Sequence, residues 1–389
     1  MIAVPLAVHS PRAVREVLAA HGWQDHRAET AAGALAPVAV LVREVPETVL
    51  ETLIPIRSRL GFEILTGEGW LLLAGSRSSL GAFARPESLP PELVPLAVAV
   101  AAALPPEAPL AWITARGPVT LDNPVILGIL NLTPDSFSDG GRYDSLDAAL
   151  ARADRLLQDG ADIIDLGAES TRPGAVPVPA DEERKRLLPV VEALLRRHPD
   201  LKLSVDTVKA GVAADALLAG AAIINDVSGL RLDPKMGETV AAAGAGLILM
   251  HSRGGVSDMA SFDHADYGDD LIGAILNELR DSRSAALQAG VGADRLVLDP
   301  GLGFAKTAGQ SIRVLDQVAA FTVLGPPVLI GPSRKRFLGE LTGRPAAERD
   351  PATAAACVVG YERGARLFRV HEARPAREAL AVAAGVREA

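Results

Sequence analysis

VILGILNLTPDSFSDGGRYDSLDAALARADRLLQDGADIIDLG, residues 125–167, holds one whole unit of the fold. VILGILN (125–131) is a continuous apolar run rather than an alternating one, the pattern of a strand covered on both faces. In DSLDAALARADRLLQDG, Leu146, Ala149, Leu150, Ala153, Leu156 and Leu157 recur at i, i+3, i+4 and i+7, so they share one apolar face of a helix. Asp144 or Ser145 can cap its start, and Gly160 can end it. ADIIDLG (161–167) then reads as the next buried strand.

The same unit recurs downstream. LKLSVD (201–206), AAIINDV (221–227), GLILMH (246–251), RLVLDP (295–300), PVLIGPS (327–333) and RLFRVH (366–371) read as further strands, and VKAGVAADALLAG and QSIRVLDQVAAFTVLG as further helices. Eight strand–helix units predict an α/β fold, a (β/α)8 TIM barrel over residues 116–389, an architecture that takes roughly 250 residues. An open doubly wound sheet usually begins with a Gly-rich phosphate turn after its first strand, and none is present here. Residues 1–115 read as a small α+β accessory domain: VAVLVREV as a strand, PETVLETLIPIRSRLG as a helix despite Pro55, and FEILTGEGWLLLAG as a hairpin about Gly67–Gly69. The Pro-rich LPPEAPL (104–110) marks a linker or boundary. No catalytic cluster lies in this first domain.

Hydrophobic residues make up 49% of the 389-residue chain, ample material for a core. The net charge of −9 repels phosphate backbones, so no nucleic-acid partner is expected, and phosphate recognition needs a local cluster of basic groups. Cys357 is the one cysteine, so no intrachain disulfide can form and a reducing compartment is expected. MIAVPLAVHS lacks the pattern of a signal peptide, and LAVAVAAAL (96–104) is too short to span a bilayer. The expectation is a cytoplasmic protein with no membrane partner.

Active sites of such barrels form at the C-terminal ends of the strands. Those ends carry Asn131, Asp165 with Glu169, Asp206, Asn225 with Asp226, Met250 with His251, Asp299, Ser333 with Lys335, and Arg369 with His371. Ionisable groups placed directly after apolar runs need a ligand, a partner or a shifted pKa. Arg369 and His371 are two apart, so both point to one face and suggest an anion; the plainer reading is an arginine paired with a neighbouring carboxylate. TPDSFSDGGRY (133–143) and ESTRPGAVPVPAD (169–181) are longer than usual strand-to-helix connections, as substrate-closing loops often are.

ILGILNLTPDSFSDGG, DIIDLGAESTRPGA, LSVDT, IINDVSG, LMHSRG, LDPGLGFAK, GPSRK and FRVHE together resemble the dihydropteroate synthases, in that family's order and spacing over residues 125–371. The resemblance implies a transferase of folate biosynthesis that joins 6-hydroxymethyl-7,8-dihydropterin pyrophosphate to 4-aminobenzoate, a target of sulfonamides, working as a homodimer. It implies that Asp206, Asn225, Asp299 and Lys335 hold the pterin, with Met250 and Phe304 as apolar or ring contacts and Arg369 laid over the ring. Asn131, Arg172, Arg369 and His371 match the pyrophosphate site, and Asn131 also matches a ligand of Mg²⁺. Phe137, Thr171 and Pro173 match the loops around 4-aminobenzoate. Asn131, Arg172, Lys335, Arg369 and His371 are thus the residues expected to act in catalysis.

Two positions depart from the family. Glu372 stands where the last motif often has Asp, which keeps the charge. Arg336 stands where some members have a serine near 4-aminobenzoate; its side chain either points away or pairs with the benzoate carboxylate. Other readings of the motif set are a methyltransferase-like enzyme passing a methyl group from a folate to a corrinoid protein, and a non-catalytic pterin binder.

Overall fold

The computed structural model describes residues 37–55, 60–67, 69–85, 89–104, 111–132, 142–170 and 176–388. The chain divides into two compact units, residues 1–106 with 385–389, and residues 107–384. The division falls before the expected boundary at 115/116, because the hairpin at 111–120 lies in the second unit.

The first unit contains β1 (Pro37–Arg43), α1 (Glu47–Leu53), β2 (Phe62–Gly67), β3 (Trp70–Ser76), α2 (Arg77–Phe83) and α3 (Val94–Ala103). Its three strands pair antiparallel in the order β1-β3-β2, with β2 and β3 forming the expected hairpin. Val40, Leu53, Leu71, Leu73, Leu80 and Val100 make its core. The helix expected over 46–61 is α-helical only to Leu53; Ile54 keeps right-handed helical backbone, and Ile54 and Pro55 follow in 3-10 geometry, where a proline has no N–H to continue the α-helical bonding.

The second unit opens with an antiparallel hairpin, β4 (Ala111–Thr114) and β5 (Gly117–Thr120). Strand and helix then alternate: β6 (Val125–Asn131), α4 (Arg142–Gln158), β7 (Ile163–Gly167), α5 (Ala180–Arg197), β8 (Lys202–Asp206), α6 (Ala210–Leu218), β9 (Ile223–Asp226), α7 (Met236–Ala243), β10 (Gly246–Met250), α8 (Leu271–Gln288) and β11 (Leu296–Asp299). After α9 (Ala308–Asp316) and α10 (Val318–Phe321) come β12 (Leu329–Ile330), α11 (Arg336–Thr342), α12 (Asp350–Glu362), β13 (Leu367–Val370) and α13 (Ala373–Glu388). The eight parallel strands follow the order β11-β10-β9-β8-β7-β6-β13-β12, and a parallel bridge between Leu298 and Val328 joins the two ends into the expected barrel. All eight strands stand where the apolar runs put them. α4 begins at Arg142, before the cap expected at Asp144 or Ser145.

Alternation along each strand explains the unbroken apolar runs. Ile126, Ile164, Leu203, Ile224 and Leu298 face the helical layer, while Leu127, Ile163, Ile223, Ile248, Val297 and Leu367 fill the barrel. Trp112 of β4 joins the inner cluster and is fully buried. Its Nε1–H donates to the Arg295 carbonyl at 2.8 Å, and its ring lies so close to Gly246 that an added Cβ there would sit 2.9 Å from it. The hairpin is therefore the floor of the barrel.

Strand register fixes the other end. Asn131 pairs with Gly167, Gly167 with Asp206, and Asp206 with Asn225, so three polar side chains stand at one level on β6, β8 and β9. Trp112→Ala should destabilise the protein by about 3–5 kcal/mol, the usual cost of emptying a buried aromatic site. Chemical denaturation measures it; a loss below about 1 kcal/mol would show that the hairpin is dispensable to the barrel.

Candidate active site at the barrel mouth

Arg369 leaves β13 beside the partners its register brings near. Its Nε donates to Asp165 Oδ2 at 2.5 Å, and its terminal nitrogen Nη2 donates to Asp206 Oδ2 at 2.8 Å. The pairing with carboxylates is thus present in the strongest form, with two partners on two strands. Burial works against the Arg369 charge, and Asp165 and Asp206 more than restore it. The Asp165 side chain is fully buried. Its Oδ2 also accepts from Asn225 Nδ2 at 3.2 Å, and its Oδ1 is buried without a hydrogen-bond partner among the described residues. Burial pushes the Asp206 carboxyl up to about 7, against the pull of Arg369; the neighbouring Asp165, Glu183 and Asp226 push the same way as burial.

Across the mouth, Asp299 ends β11. Its Oδ1 accepts the Gly301 amide at 2.7 Å. Burial raises its carboxyl to about 6, opposed by that amide and by the Lys335, Lys306 and Arg369 charges. Lys335 is itself lowered to about 8, by burial first and by Arg369 second, while Asp299 and Asp206 hold it up. Its ammonium lies 3.8 Å from the centre of the Phe304 ring, a cation–π contact. Phe304 and Met250 belong to a small apolar cluster with Val208, Val227 and Met259, separate from both main cores.

His371 follows the last strand. Its backbone amide donates to Ser333 Oγ at 3.0 Å, and the hydroxyl lies 2.9 Å from Nδ1. The Ser333 hydroxyl meets no other acceptor among the described contacts, so its proton is assigned to Nδ1 and the ring proton to Nε2. Burial, then the charges of Arg369, Arg334 and Lys335, lower the ring to about 3, so His371 is a neutral donor rather than a second cation. Glu372 is anchored from both sides, by Arg152 at 2.8 Å and Arg334 at 3.3 Å. Arg334 also grips Asp350, and Arg349 donates to the carbonyls of Arg334 and Lys335. This network holds the backbone on which Lys335 and His371 stand.

Arg336 stacks on Phe262, 3.8 Å from the ring centre, and pairs with Glu340 at 3.5 Å. Its side chain is 63% exposed. The expected loop residues Phe137, Thr171, Arg172 and Pro173 lie outside the described residues. The stem of the second loop is described: Glu169 accepts the Val178 amide at 2.6 Å and pairs with Lys209, which also pairs with the buried Glu183.

The structure thus brings Asn131, Asp206, Asn225, Asp299, Lys335, Arg369 and His371 to one end of one barrel. Sequence reasoning placed Asp165 at a strand end without giving it a role; it lies two residues before Gly167 and is the tightest partner of Arg369.

The sequence profile of the family described as pterin binding enzyme matches residues 127–371. The dihydropteroate synthase of Bacillus subtilis is 44% identical over 250 residues, covering 64% of this chain and 84% of that protein. Among solved structures, Xanthomonas albilineans dihydropteroate synthase with 4-aminobenzoic acid superposes with a TM-score of 0.67 at 41% identity, over 72% of this chain and 99% of that one. The same organism's enzyme in complex with 7,8-dihydropteroate gives 0.64 at 38% identity, over 72% and 99%.

Removing Arg369 strands two carboxylates, one of them fully buried. Arg369→Ala should therefore lower the stability of the substrate-free protein by about 3–5 kcal/mol, the cost of breaking a buried pair from one side. Urea denaturation at neutral pH tests this; an unchanged midpoint would mean that Asp165 and Asp206 find other compensation.

Proposed function

We infer the reaction from membership: the chain belongs to the pterin-binding enzyme family, among the dihydropteroate synthases. It is a transferase of folate biosynthesis that condenses 6-hydroxymethyl-7,8-dihydropterin pyrophosphate with 4-aminobenzoate, giving 7,8-dihydropteroate and pyrophosphate. One observation ties that reaction to these side chains: acceptor carboxylates (Asp206, Asp299), a two-way amide (Asn225) and a donor ammonium (Lys335) converge on one barrel end. A pterin offers an amino group and ring N–H as donors, and an oxo group and ring nitrogens as acceptors. The set is complementary to it.

In the proposed mechanism no side chain acts as a nucleophile. The carbon–oxygen bond to pyrophosphate breaks, and the pterin ring carries the resulting positive charge at the methylene carbon. The neutral amine of 4-aminobenzoate then attacks that carbon and loses its proton. Asp206 and Asp299 stabilise the cationic ring, and Phe304 and Met250 give it an apolar face. Arg369 lays its guanidinium plane along the ring and points charge at the departing anion, where Arg172 and the Nε2–H of His371 assist. Lys335, with a pKa near 8, donates to the oxo group and ring nitrogen. Phe137, Thr171 and Pro173 shape the 4-aminobenzoate site.

The donor set suits Mg²⁺. The Asn131 amide oxygen flanks Gly167 on the side opposite the Asp206 carboxylate, each within 4 Å of where a Cβ at Gly167 would lie. Among the described residues no cluster of three or more acidic, histidine or cysteine side chains competes for a metal. Mg²⁺ keeps most of its water and takes few protein ligands, so Asn131 with phosphate oxygens would hold it. There it would neutralise charge on the leaving pyrophosphate.

A homodimer in the cytoplasm completes the reading. No helix among the described residues is long and apolar enough to cross a membrane. The relatives favour the synthase over the methyltransferase-like and non-catalytic alternatives.

The direct test is pyrophosphate release from the pterin pyrophosphate, dependent on 4-aminobenzoate and on Mg²⁺. Turnover that needs neither would contradict the reading.

The two carboxyls also dictate a pH dependence. Both pKa values are raised by burial, to about 7 and about 6, and both groups must be ionised to accept the pterin N–H donors. Pterin affinity should therefore fall as pH drops through 7 and again through 6, by roughly tenfold or more between pH 8 and 5.5. The same raised values act oppositely on the substrate-free fold: their stabilising contribution is full below the ordinary value of 3.8, falls as pH rises from there, and is gone above 7. Calorimetric titration across that range checks the first effect, and a flat affinity would remove both carboxylates from the pterin site.

A further inference from the structure

The turn after β11 carries two residues of the site, Asp299 and Phe304, and ends on a cation that the mechanism does not use. Lys306 is 1% exposed. Its ammonium donates to the carbonyls of Gly301 at 3.1 Å and Phe304 at 3.0 Å, and lies 2.9 Å from His251 Nδ1. An ammonium only donates, so Nδ1 accepts and the neutral ring carries its proton on Nε2. That nitrogen lies 3.0 Å from Glu278 Oε2, which takes the proton as acceptor; Glu278 is also held by Arg253. Burial first, then the Lys306 charge, lower His251 to about 4, which keeps the ring neutral. A cation, an imidazole and a carboxylate thus form one line from the turn to the surface.

Enclosure costs the ammonium free energy that a methionine of similar length would not lose: burial lowers Lys306 to about 7, with Asp299 and Glu278 holding it up, so it is a full cation on the acid side of neutrality. What it provides is visible in the turn. Gly301, Gly303 and Ala305 all have positive φ (69°, 74° and 47°), an alternation that bends the chain around one point. Lys306 occupies that point and takes the two inward carbonyls. The outward side of the same turn is the site. The Gly301 amide fixes Asp299 Oδ1 at 2.7 Å, and Phe304 sets its ring against the Lys335 ammonium.

We propose that Lys306, oriented by His251 and Glu278, is a positioning residue that locks the 299–304 turn so that the Asp299 carboxylate and the Phe304 ring meet the pterin. The proposal rests on the synthase reading above. Its charge acts as well as its shape. Asp299 faces the cations Lys306, Lys335 and Arg369; Lys306 in turn faces Asp299, Glu278, Arg253, Lys335, His251 and the Tyr267 ring. Removing Lys306 takes one of three cations from Asp299, so its carboxyl should titrate at higher pH.

The test is Lys306→Met in the full chain, titrated with 6-hydroxymethylpterin and assayed for turnover. The dissociation constant for the pterin should rise roughly tenfold or more, the scale seen when a residue orienting a site ligand is lost. The KM for 4-aminobenzoate, measured at saturating pterin pyrophosphate, should change by less than about twofold, and the acid limb of pterin binding should move up by about half a pH unit or more. A general loss of folded structure would weaken both substrates alike and leave the acid limb in place; that result, or wild-type pterin affinity, overturns the proposal. Should Lys306→Met fail to fold, Glu278→Gln decides, since it leaves every residue of the turn intact: weaker pterin binding with the KM for 4-aminobenzoate unchanged supports the role, and unchanged pterin binding, or both substrates weakened alike, overturns it. Wild-type protein that binds no pterin would count against the synthase reading instead.

Discussion

One guanidinium between two carboxylates governs the mouth of this barrel. Arg369 holds Asp165 and Asp206 across β13, β7 and β8, and each of the three would be costly to bury without the others. Nothing in barrel packing calls for them: apolar side chains at those positions would continue the layers of Leu127, Ile163 and Ile248 beneath. The arrangement makes sense as a site that keeps its charges mutually satisfied. A substrate with N–H donors and a departing anion can then use them in place of one another. The raised carboxyls of Asp206 and Asp299 and the lowered ammonium of Lys335 belong to the same compromise, because burial opposes each charge and a neighbour restores part of it.

Precision of this kind needs a rigid frame, and the barrel supplies it from both ends. The Trp112 floor fills the bottom of the interior, and parallel register sets Asn131, Asp206 and Asn225 at one level. Side chains that do not line the mouth hold those that do. Glu372 ties Arg152 and Arg334 behind His371 and Lys335, and Glu169 with Lys209 closes the stem of the second loop. Lys306 occupies the equivalent place behind Asp299 and Phe304.

Most of this frame was legible in the sequence, for a physical reason. Strands buried on both faces leave unbroken apolar runs, so eight strands could be read from 125 to 371, and the polar residue ending each run marked the mouth. Boundaries were less visible. PVLIGPS gave a strand of only two residues, Leu329–Ile330, because the chain turns at once toward Ser333 and Lys335. The strand carrying Trp112 read as part of the upstream domain, since its packing against Gly246 and Arg295 links residues far apart in the chain. Partner choice was the least legible. An arginine two residues from a histidine suggested two cation-capable groups facing an anion; burial and three neighbouring cations leave His371 neutral. That Arg369 would take Asp165 depends on register between β6, β7 and β13, which no local pattern encodes. The Lys306–His251–Glu278 line was hidden for the same reason.

If these charges are kept at the mouth for chemistry rather than for folding, removing them together should be harmless to the fold. The triple variant Asp165→Asn, Asp206→Asn, Arg369→Met replaces the cluster with neutral groups of similar shape. Its unfolding free energy at neutral pH, measured by urea denaturation, is the most direct test. Stability equal to or above wild type, together with loss of pterin binding, is the expected result. A triple variant several kcal/mol less stable than wild type would contradict it, because the cluster would then be holding the barrel together.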